Sequence, residues 1–172
     1  MQVSFRPCVF EKDQDAYIRF LIERHNELGL PYPFAMNFSF FASPLLFGGA
    51  MLAIDPQRQR TIGAAGFVLG TGAQQYEDRQ VCQIEVAFLL EEYRGTYVFP
   101  RFLRALVDLM RTSEPDVRQV QFWADTRQTK RKRLYDKLLV VPGSTVQRAE
   151  NGLSLYQTPY APLEAFLNRK QL

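Results

Sequence analysis

The stretch that decides the fold reads VCQIEVAFLLEEYRG, from Val81 to Gly95. Its first ten residues form an apolar run bounded by polar residues, which predicts a buried strand from Val81 to Leu90. An amphipathic helix is predicted shortly after it. Its apolar residues recur at helical spacing: Phe102, Leu103, Leu106, Val107 and Met110. The pattern is a central strand, a short loop and a helix.

The segments before this stretch predict strands and helices in turn. Val3–Phe10 suits a strand, and a helical pattern runs from Asp13 to Leu28. The aromatic segment Phe34–Phe47 fits one or two short helices because its aromatic spacing is irregular. Met51–Ile54 and Thr61–Leu69 are predicted to form a hairpin across a polar, proline-containing turn.

The segments after the helix complete the predicted order. Val117–Ala124 suits a strand, and the basic stretch Thr129–Leu139 suits a helix. Thr145–Gln147 and Leu153–Tyr156 are expected to close the chain as a hairpin across Asn151-Gly152. This order predicts a mixed α/β (α+β) fold, and no linker divides the chain, so residues 1–172 are expected to form a single domain.

Length, composition and charge narrow the function classes. The chain has 172 residues, of which 47% are hydrophobic, enough for one core. The formal net charge of +3 is too small to make nucleic acid the automatic partner, and an anionic small molecule is equally compatible.

Cysteine and histidine usage argues against a metal site. Cys8 and Cys82 lie in separate apolar segments, and the lone His25 has no cysteine or histidine at metal-ligand spacing. A reduced, cytoplasmic setting is therefore expected. The N-terminus lacks a secretory pattern, and polar residues, Pro44 and glycines interrupt the apolar stretch Phe34–Ile54, so no membrane span is predicted.

The loop after the central strand resembles the acyl-CoA pyrophosphate loop of the GNAT superfamily of N-acyltransferases. In that family the pattern Arg/Gln-x-x-Gly-x-Gly/Ala places backbone N–H groups at a helix N-terminus, where they receive the pyrophosphate. Arg94 and Gly95 match, whereas Tyr97 and Phe99 stand where small residues are usual. Pro100 removes one donor but is tolerated in a first helical turn.

A second likeness lies downstream. The strand around Val120–Asp125 and the helix after it resemble the family's strand and its Leu-Tyr-x-Lys-x-Gly-Phe helix. Leu134, Tyr135 and Lys137 match, but Leu139-Val140 replaces Gly-Phe. The resemblance implies a GNAT fold, with a central, mixed, mostly antiparallel sheet flanked by helices.

The resemblance also implies an activity, the direct transfer of an acetyl or other acyl group from acyl-CoA to an amine, without a metal. Glu85 takes the position of the family's general base, and Tyr135 that of the acid that protonates the thiolate. Two other interpretations stay open: Glu85 as a carboxylate paired with an arginine, and Tyr135 as a packing residue.

The cofactor-binding residues implied by the resemblance surround the same loop. They include the backbone of Phe88 or Leu90, whose N–H would face the thioester oxygen, and Arg131, which shares a helical face with Arg127 and Tyr135 by four-residue spacing. The full set is Phe88, Leu90, Arg94, Gly95, Thr96, Tyr97, Val98 and Arg131.

For the acceptor, a small-molecule or peptide amine, Tyr32 and Phe34 are the candidate contacts. A homodimer is among the arrangements that the resemblance implies. Two rival functions remain: a GNAT-like domain that binds a ligand or a protein without catalysis, suggested by Tyr97 and Phe99, and nucleic-acid binding through the basic residues between Arg127 and Arg133.

Overall fold

The apolar run from Val81 forms the middle strand of a seven-stranded sheet in the computed structural model, which describes residues 2–127 and 135–169. The strands are β1 (Ser4–Pro7), β2 (Gly48–Asp55), β3 (Arg60–Leu69), β4 (Val81–Leu89), β5 (Gln119–Asp125), β6 (Thr145–Arg148) and β7 (Leu153–Pro159). They lie in the order β1-β2-β3-β4-β5-β7-β6, in which β4 and β5 are parallel and the other neighbours antiparallel. The predicted mixed, mostly antiparallel sheet is confirmed.

Helices cover both faces of the sheet. The described ones are α1 (Glu11–Glu23), α2 (Phe34–Phe47), α3 (Val98–Ser113) and α4 (Tyr160–Arg169). A Cβ built on Gly66 of β3 would meet Tyr17 of α1 and Pro44 of α2 at 2.5 and 2.6 Å, so these two helices share one face. A Cβ built on Gly49 would meet Leu109 of α3 at 3.5 Å, on the opposite face. We call these the α1/α2 face and the α3/α4 face.

The apolar stripe predicted for α3 attaches that helix to the sheet. Its buried residues are Val98, Phe102, Leu106, Val107 and Met110. Full burial of an aliphatic or aromatic side chain of this size contributes roughly 1.5–3 kcal/mol, so the stripe is a large part of the α3 packing energy. It also holds the N-terminus of α3 next to the end of β4.

The aromatic segment forms one continuous helix rather than two. The helix α2 has 14 residues and contains Pro44 near its end, where the missing N–H removes one helical hydrogen bond. The helix tolerates this loss because Pro44 is buried and lies against β3 at Gly66. In the parts of the chain that the structure describes, no helix has the length and apolarity needed to cross a bilayer.

The two ends of the chain differ most from the sequence prediction. The strand predicted at Val3–Phe10 is confined to Ser4–Pro7, and α1 ends at Glu23, with only a 3₁₀ turn over His25–Glu27. The helix α4 was not predicted, because with ten residues it is too short to show a clear helical period. Tertiary packing stabilises it, since the buried Tyr160 donates a hydrogen bond through Oη to the carbonyl of Val107 in α3 at 2.7 Å.

Candidate active site

A cleft opens where β4 and β5 separate. The two strands pair in parallel from Val81↔Gln119 to Ile84↔Phe122. Beyond that point β4 continues only with β3, and β5 only with β7. The cause lies in β4, where Val86 opposes Gly66 and Ile84 opposes Phe67, so that Glu85 is an extra, bulged residue. A bulge bends its strand and ends regular pairing, which here turns β4 away from β5.

The bulge also decides which peptide groups of β4 face the cleft. The Leu90 N–H donates to the Ile62 carbonyl of β3 at 2.8 Å, and the Phe88 carbonyl lies 2.7 Å from a Cβ built on Gly63 of the same strand. The peptide groups of Phe88 and Leu90 therefore face β3, and the prediction that their N–H groups face the thioester is wrong.

The peptide groups that face the cleft are those of the alternate residues, Ala87 and Leu89. This agrees with the Leu89 carbonyl, which accepts a hydrogen bond from Arg94 Nε at 2.7 Å. The physical reason is the extra residue at Glu85. One added residue reverses the direction of every later peptide group in a strand, because that direction alternates from residue to residue.

Glu85 lies at the apex of the cleft, on the α1/α2 face. Gln83 Nε2 donates to its carboxylate oxygen Oε1 at 3.1 Å. Burial raises the pKa of Glu85, and this hydrogen bond opposes the rise. The described partner of Glu85 is therefore an amide, not the arginine of the alternative interpretation.

Burial also raises the pKa of three other titratable groups, of which Tyr17 and Cys8 lie on the Glu85 side. Tyr17 of α1 is fully buried, and burial raises its pKa well above the ordinary value, with charges on Cys8 and Glu85 adding to the rise. Burial also raises the pKa of the Cys8 and Cys82 thiols to about 12. Both thiols are therefore protonated at neutral pH, and neither is suited to act as a nucleophile.

The loop between β4 and α3 is short and leads from the end of the cleft directly into the helix. A 3₁₀ turn over Glu91–Tyr93 leads to Gly95, whose φ of +72° lies in the left-handed region that favours glycine. Thr96 Oγ1 then donates to the Tyr93 carbonyl at 2.7 Å and accepts from the Val98 N–H at 3.2 Å. The first N–H groups of α3 therefore begin directly beside the end of the cleft.

The residues that depart from the family pattern have different surroundings. Phe99 packs against the hydrophobic core, whereas Tyr97 is 39% exposed and lies beside Arg101. Pro100 lies in the first turn of α3, as predicted. The Arg94 guanidinium lies over the Phe88 ring, 5.0 Å from its centroid. One of the two large residues is thus partly buried against the core, and the other lies at the surface of the loop.

A buried cluster that the sequence analysis missed anchors this loop. Tyr93 Oη donates to Asp55 Oδ2 at 2.8 Å and accepts from Arg58 Nη1 at 3.0 Å. Asp55 also accepts from the N–H groups of Gln57 and Arg58, and its pKa is lowered, chiefly by the Tyr93 hydrogen bond. The sequence contained a signal for the backbone part of this cluster, because an Asp side chain before a turn often accepts hydrogen bonds from the N–H groups that follow it.

Tyr135 packs against β5 and β7 on the α3/α4 face, the side of the sheet opposite the Glu85 side chain. Its ring centroid is 5.2 Å from that of Phe122 and 5.5 Å from that of Tyr156, and the latter two rings are stacked. Arg127 lies in a turn after β5 and makes two hydrogen bonds to the Asp125 carboxylate. The prediction that Arg127 shares a helical face with Tyr135 is therefore wrong, and Arg131 lies outside the described residues.

Tyr32 and Phe34 line one cavity of about 250 Å³ between α1 and α2. His25 packs edge-on to Phe34, with 5.1 Å between ring centroids. Asn37 donates through Nδ2 to the Tyr32 carbonyl at 3.2 Å, but its Oδ1 has no hydrogen-bond partner among the described residues. The other lining residues are Asn26, Gly29 and Leu30. A larger groove of about 320 Å³ lies at the opposite end of the sheet, around Phe47 and Tyr76.

A metal site finds no support in the described ranges, where no three His, Cys, Asp or Glu side chains cluster with ligand geometry. Most of the basic cluster between Arg127 and Arg133 lies outside those ranges, so the nucleic-acid hypothesis stays a prediction.

Comparisons with known proteins bear on the fold. The sequence matches no protein-family model and no curated protein. Solved structures are similar to it. A GNAT-family acetyltransferase of Staphylococcus aureus Mu50 has a TM-score of 0.66 at 12% identity, over 92% of this chain and 99% of its own.

Two other solved structures show the same likeness. The YncA protein of Salmonella typhimurium, solved with its cofactor acetyl-CoA, has a TM-score of 0.61 at 15% identity, over 93% and 95% of the two chains. The ribosomal-protein-S5-alanine acetyltransferase of Vibrio fischeri has a TM-score of 0.62 at 13% identity, over 93% and 94%. With its divided β4–β5 pair and the glycine loop that leads into α3, this chain has the fold of the GNAT acetyltransferases.

Proposed function

We propose that the chain, as a single domain, is an N-acyltransferase that moves an acetyl or related acyl group directly from acyl-CoA to an amine. The observation that carries this proposal is the cleft at the Glu85 bulge. There a partly buried carboxylate, two peptide groups that face the cleft and a helix N-terminus follow one another along the chain. These are the base, the oxyanion donors and the anion site that acyl transfer from a thioester of CoA needs.

Glu85 has the properties of the general base. An alkyl ammonium has a pKa of about 10.4, so an amine acceptor must lose a proton before it attacks. Burial raises the pKa of Glu85, which makes its carboxylate a stronger base than an exposed glutamate. The carboxylate takes the amine proton as the nitrogen forms its bond to the thioester carbonyl.

The backbone of β4 is suited to the charge that develops next. The attack moves an electron pair onto the carbonyl oxygen, and the N–H groups of Ala87 and Leu89 face the cleft where that oxygen would lie. When the C–S bond breaks, the thiolate takes a proton from Tyr135. A tyrosine hydroxyl carries a proton that it can donate, which is what this step needs.

The loop and the start of α3 would hold the pyrophosphate. Gly95, Thr96, Tyr97 and Val98 lead into the N-terminus of α3, whose first N–H groups and dipole favour an anion. Arg94 adds a positive charge at the same place, although its Nε is already bonded to the Leu89 carbonyl. Tyr97 lies at the surface of the loop and Phe99 packs against the core, which leaves the backbone of the loop open to a ligand.

The acceptor would enter from the α1/α2 side. The cavity of Tyr32 and Phe34 offers aromatic walls and one buried acceptor atom, Asn37 Oδ1, without a partner among the described residues. A buried acceptor of this kind favours a ligand that brings a hydrogen-bond donor. We therefore place in this cavity an amine that brings an N–H or O–H donor for Asn37 Oδ1.

We expect Tyr135→Phe to lower turnover by about a hundredfold while leaving the affinity for acyl-CoA nearly unchanged, because a general acid typically contributes 10²–10⁴-fold. The Phe ring keeps the packing on Phe122 and Tyr156. Steady-state kinetics with acetyl-CoA and an amine acceptor measure the effect. Tyr156→Phe, in the same aromatic cluster, is the matched control and should keep its turnover. Equal turnover in wild type and Tyr135→Phe would remove Tyr135 from the mechanism.

The binding part of the proposal is tested by the thermal midpoint of the protein with excess acetyl-CoA, with ATP as the charge control. A ligand at about a hundred times its dissociation constant adds roughly 2.7 kcal/mol, which corresponds to several degrees for a domain of this size. We expect acetyl-CoA to raise the midpoint and ATP to leave it unchanged.

An unchanged midpoint at millimolar acetyl-CoA would favour the alternative function, a GNAT-like domain that binds another ligand or a protein without catalysis. The observation behind that alternative is Tyr97, a large side chain at the surface of the loop where the family usually has a small one.

A further inference from the structure

A row of glutamine side chains crosses three strands on the α1/α2 face and ends at Glu85. Gln83 of β4 donates through Nε2 to Glu85 Oε1 at 3.1 Å. Gln121 of β5 donates through Nε2 to Gln83 Oε1 at 2.8 Å. Gln121 Oε1 in turn accepts from Gln119 Nε2 at 3.1 Å and from Gln157 Nε2 of β7 at 3.2 Å. We call these four residues and Glu85 the glutamine row.

The row lies where the sheet divides. Gln83 and Gln121 are register partners one residue before β4 and β5 cease to pair, and Gln121 is also the register partner of Gln157. Gln121 is buried and Gln83 and Gln157 are half-buried. The row therefore joins the two halves of the sheet beneath the cleft.

The direction of every hydrogen bond in the row follows from its acidic end. An ionised carboxylate only accepts, so Gln83 must present its NH₂ group to Glu85, and in that orientation its carbonyl oxygen is the atom within reach of Gln121. Gln121 must therefore donate to Gln83, and its own carbonyl oxygen remains for Gln119 and Gln157. One charge at the end of the row thus orients amide groups that are otherwise free to flip.

We infer that Gln83 and Gln121 are positioning residues, which hold the Glu85 carboxylate ionised and aimed at the cleft. The inference rests on the proposed function, in which Glu85 is the base. It adds a role for Gln83 and Gln121, which do not themselves take a proton. A bound amide donor favours the charged carboxylate and restricts its rotation, whereas a protonated Glu85 would gain less from the row.

The other groups that face Glu85 do not perform this task. From α1, Tyr17 presents a phenol that burial keeps neutral at neutral pH, and the Cys8 thiol near Tyr17 is neutral for the same reason. From α2 the side chain packed at this point is Pro44, and from β3 the facing residue is Gly66. The described hydrogen-bond donor to Glu85 is therefore Gln83, supported by Gln121.

The experiment is an NMR titration of the Glu85 side-chain carboxyl in the protein without substrates, assigned by its loss in Glu85→Gln. In Gln83→Met, which keeps the side-chain length but removes the donor, the pKa of Glu85 should rise. The matched control is Gln119→Met at the far end of the row, which should leave the midpoint unchanged. No rise in Gln83→Met, or an equal rise in the control, would overturn the inference.

A second variant breaks the row one step further from Glu85 without adding a charge. In Gln121→Met the donor to Gln83 Oε1 is lost, so the Gln83 amide is no longer held with its NH₂ group toward Glu85. The pKa of Glu85 should rise here too, and this variant decides the matter if Gln83→Met does not fold. An unchanged Glu85 midpoint in Gln121→Met contradicts the inference.

Kinetics separate positioning from a merely structural role. In Gln83→Met we expect turnover at neutral pH to fall about tenfold and to recover as the pH is raised, with the KM for acyl-CoA unchanged, because the base is ionised only at higher pH. A fall that is equal at every pH would contradict positioning. If the wild type transfers no acyl group, the proposed function fails, but the titration still tests the glutamine row.

Discussion

Glu85→Gln is expected to lower turnover by about 10²- to 10⁴-fold, the usual contribution of a general base, and to leave acyl-CoA binding unchanged. The substitution keeps the shape of the side chain, and the new amide oxygen can still accept from Gln83 Nε2. It removes only the ability to take the amine proton. Steady-state kinetics at saturating acyl-CoA measure the turnover, and the thermal shift with acetyl-CoA measures binding.

The control for this prediction is Glu91→Gln, the same change in an exposed glutamate six residues later, which should keep its turnover.

The free energy of unfolding shows whether a loss of turnover in Glu85→Gln comes from lost catalysis or from misfolding. Because the pKa of Glu85 is raised in the folded protein, its ionisation opposes folding, and that cost grows as the pH rises above the ordinary glutamate value. Glu85→Gln should therefore be at least as stable as the wild type at pH 7. A variant that retains most of the wild-type turnover would show that Glu85 is not the base.

Gly48→Ala is expected to lower the free energy of unfolding by about 3 kcal/mol or more, at the upper end of the usual cost of overpacking. Gly48 joins α2 to β2 and lies directly against β3. A Cβ built on it would lie 1.9 Å from the carbonyl oxygen of Phe67 and 2.7 Å from the Cα of Val68. Both contacts are with backbone atoms, so no side chain can rotate away, and the strands themselves would have to move.

The control for this prediction is Gly72→Ala, in the loop after β3. The nearest atom to a Cβ built there is Tyr76 Oη at 3.7 Å, an ordinary contact, and we expect a change within about 0.5 kcal/mol. Urea unfolding of both variants and the wild type gives the comparison. A Gly48→Ala variant as stable as Gly72→Ala would contradict the close approach of α2, β2 and β3.

The elements that local pattern predicted well are those whose sequence agrees with their packing. The apolar run of β4, the stripe of α3 and the hairpins β2–β3 and β6–β7 are found where the sequence placed them. In each case the period of the hydrophobic residues matches the face that is buried. Burial of that face provides most of the free energy that stabilises the element. The ends of α1 and the existence of α4 were not predictable in this way, because contacts with other elements decide them.

The candidate site was predictable in its residue types but not in its geometry. Glu85, Gly95 and Pro100 were singled out from the sequence, and the structure gives each a local reason: a bulge, a positive φ and a first helical turn. The peptide groups that face the cleft were assigned to the wrong residues. A bulge leaves almost no trace in hydrophobic pattern, although it reverses the direction of all the peptide groups that follow it.

Two other features could not be predicted from the sequence, because they form only when distant strands lie side by side. The glutamine row joins residues 38 and 36 positions apart, and the Tyr93–Asp55 hydrogen bond joins residues 38 apart. No single segment contains such a row, because its members become neighbours only when β4, β5 and β7 align. Tyr97 and Phe99 also looked equivalent in the sequence, yet one is exposed and the other packs on the core.

By itself the sequence determined the order of the central elements, the glycine loop and the identity of the candidate base, since these depend on hydrophobic period and on residues adjacent in the chain. The tertiary structure alone decided where β4 leaves β5, which amides face the cleft and which side chains surround Glu85. The physical reason is that these properties depend on strand register and on contacts between distant segments, which local propensity does not encode.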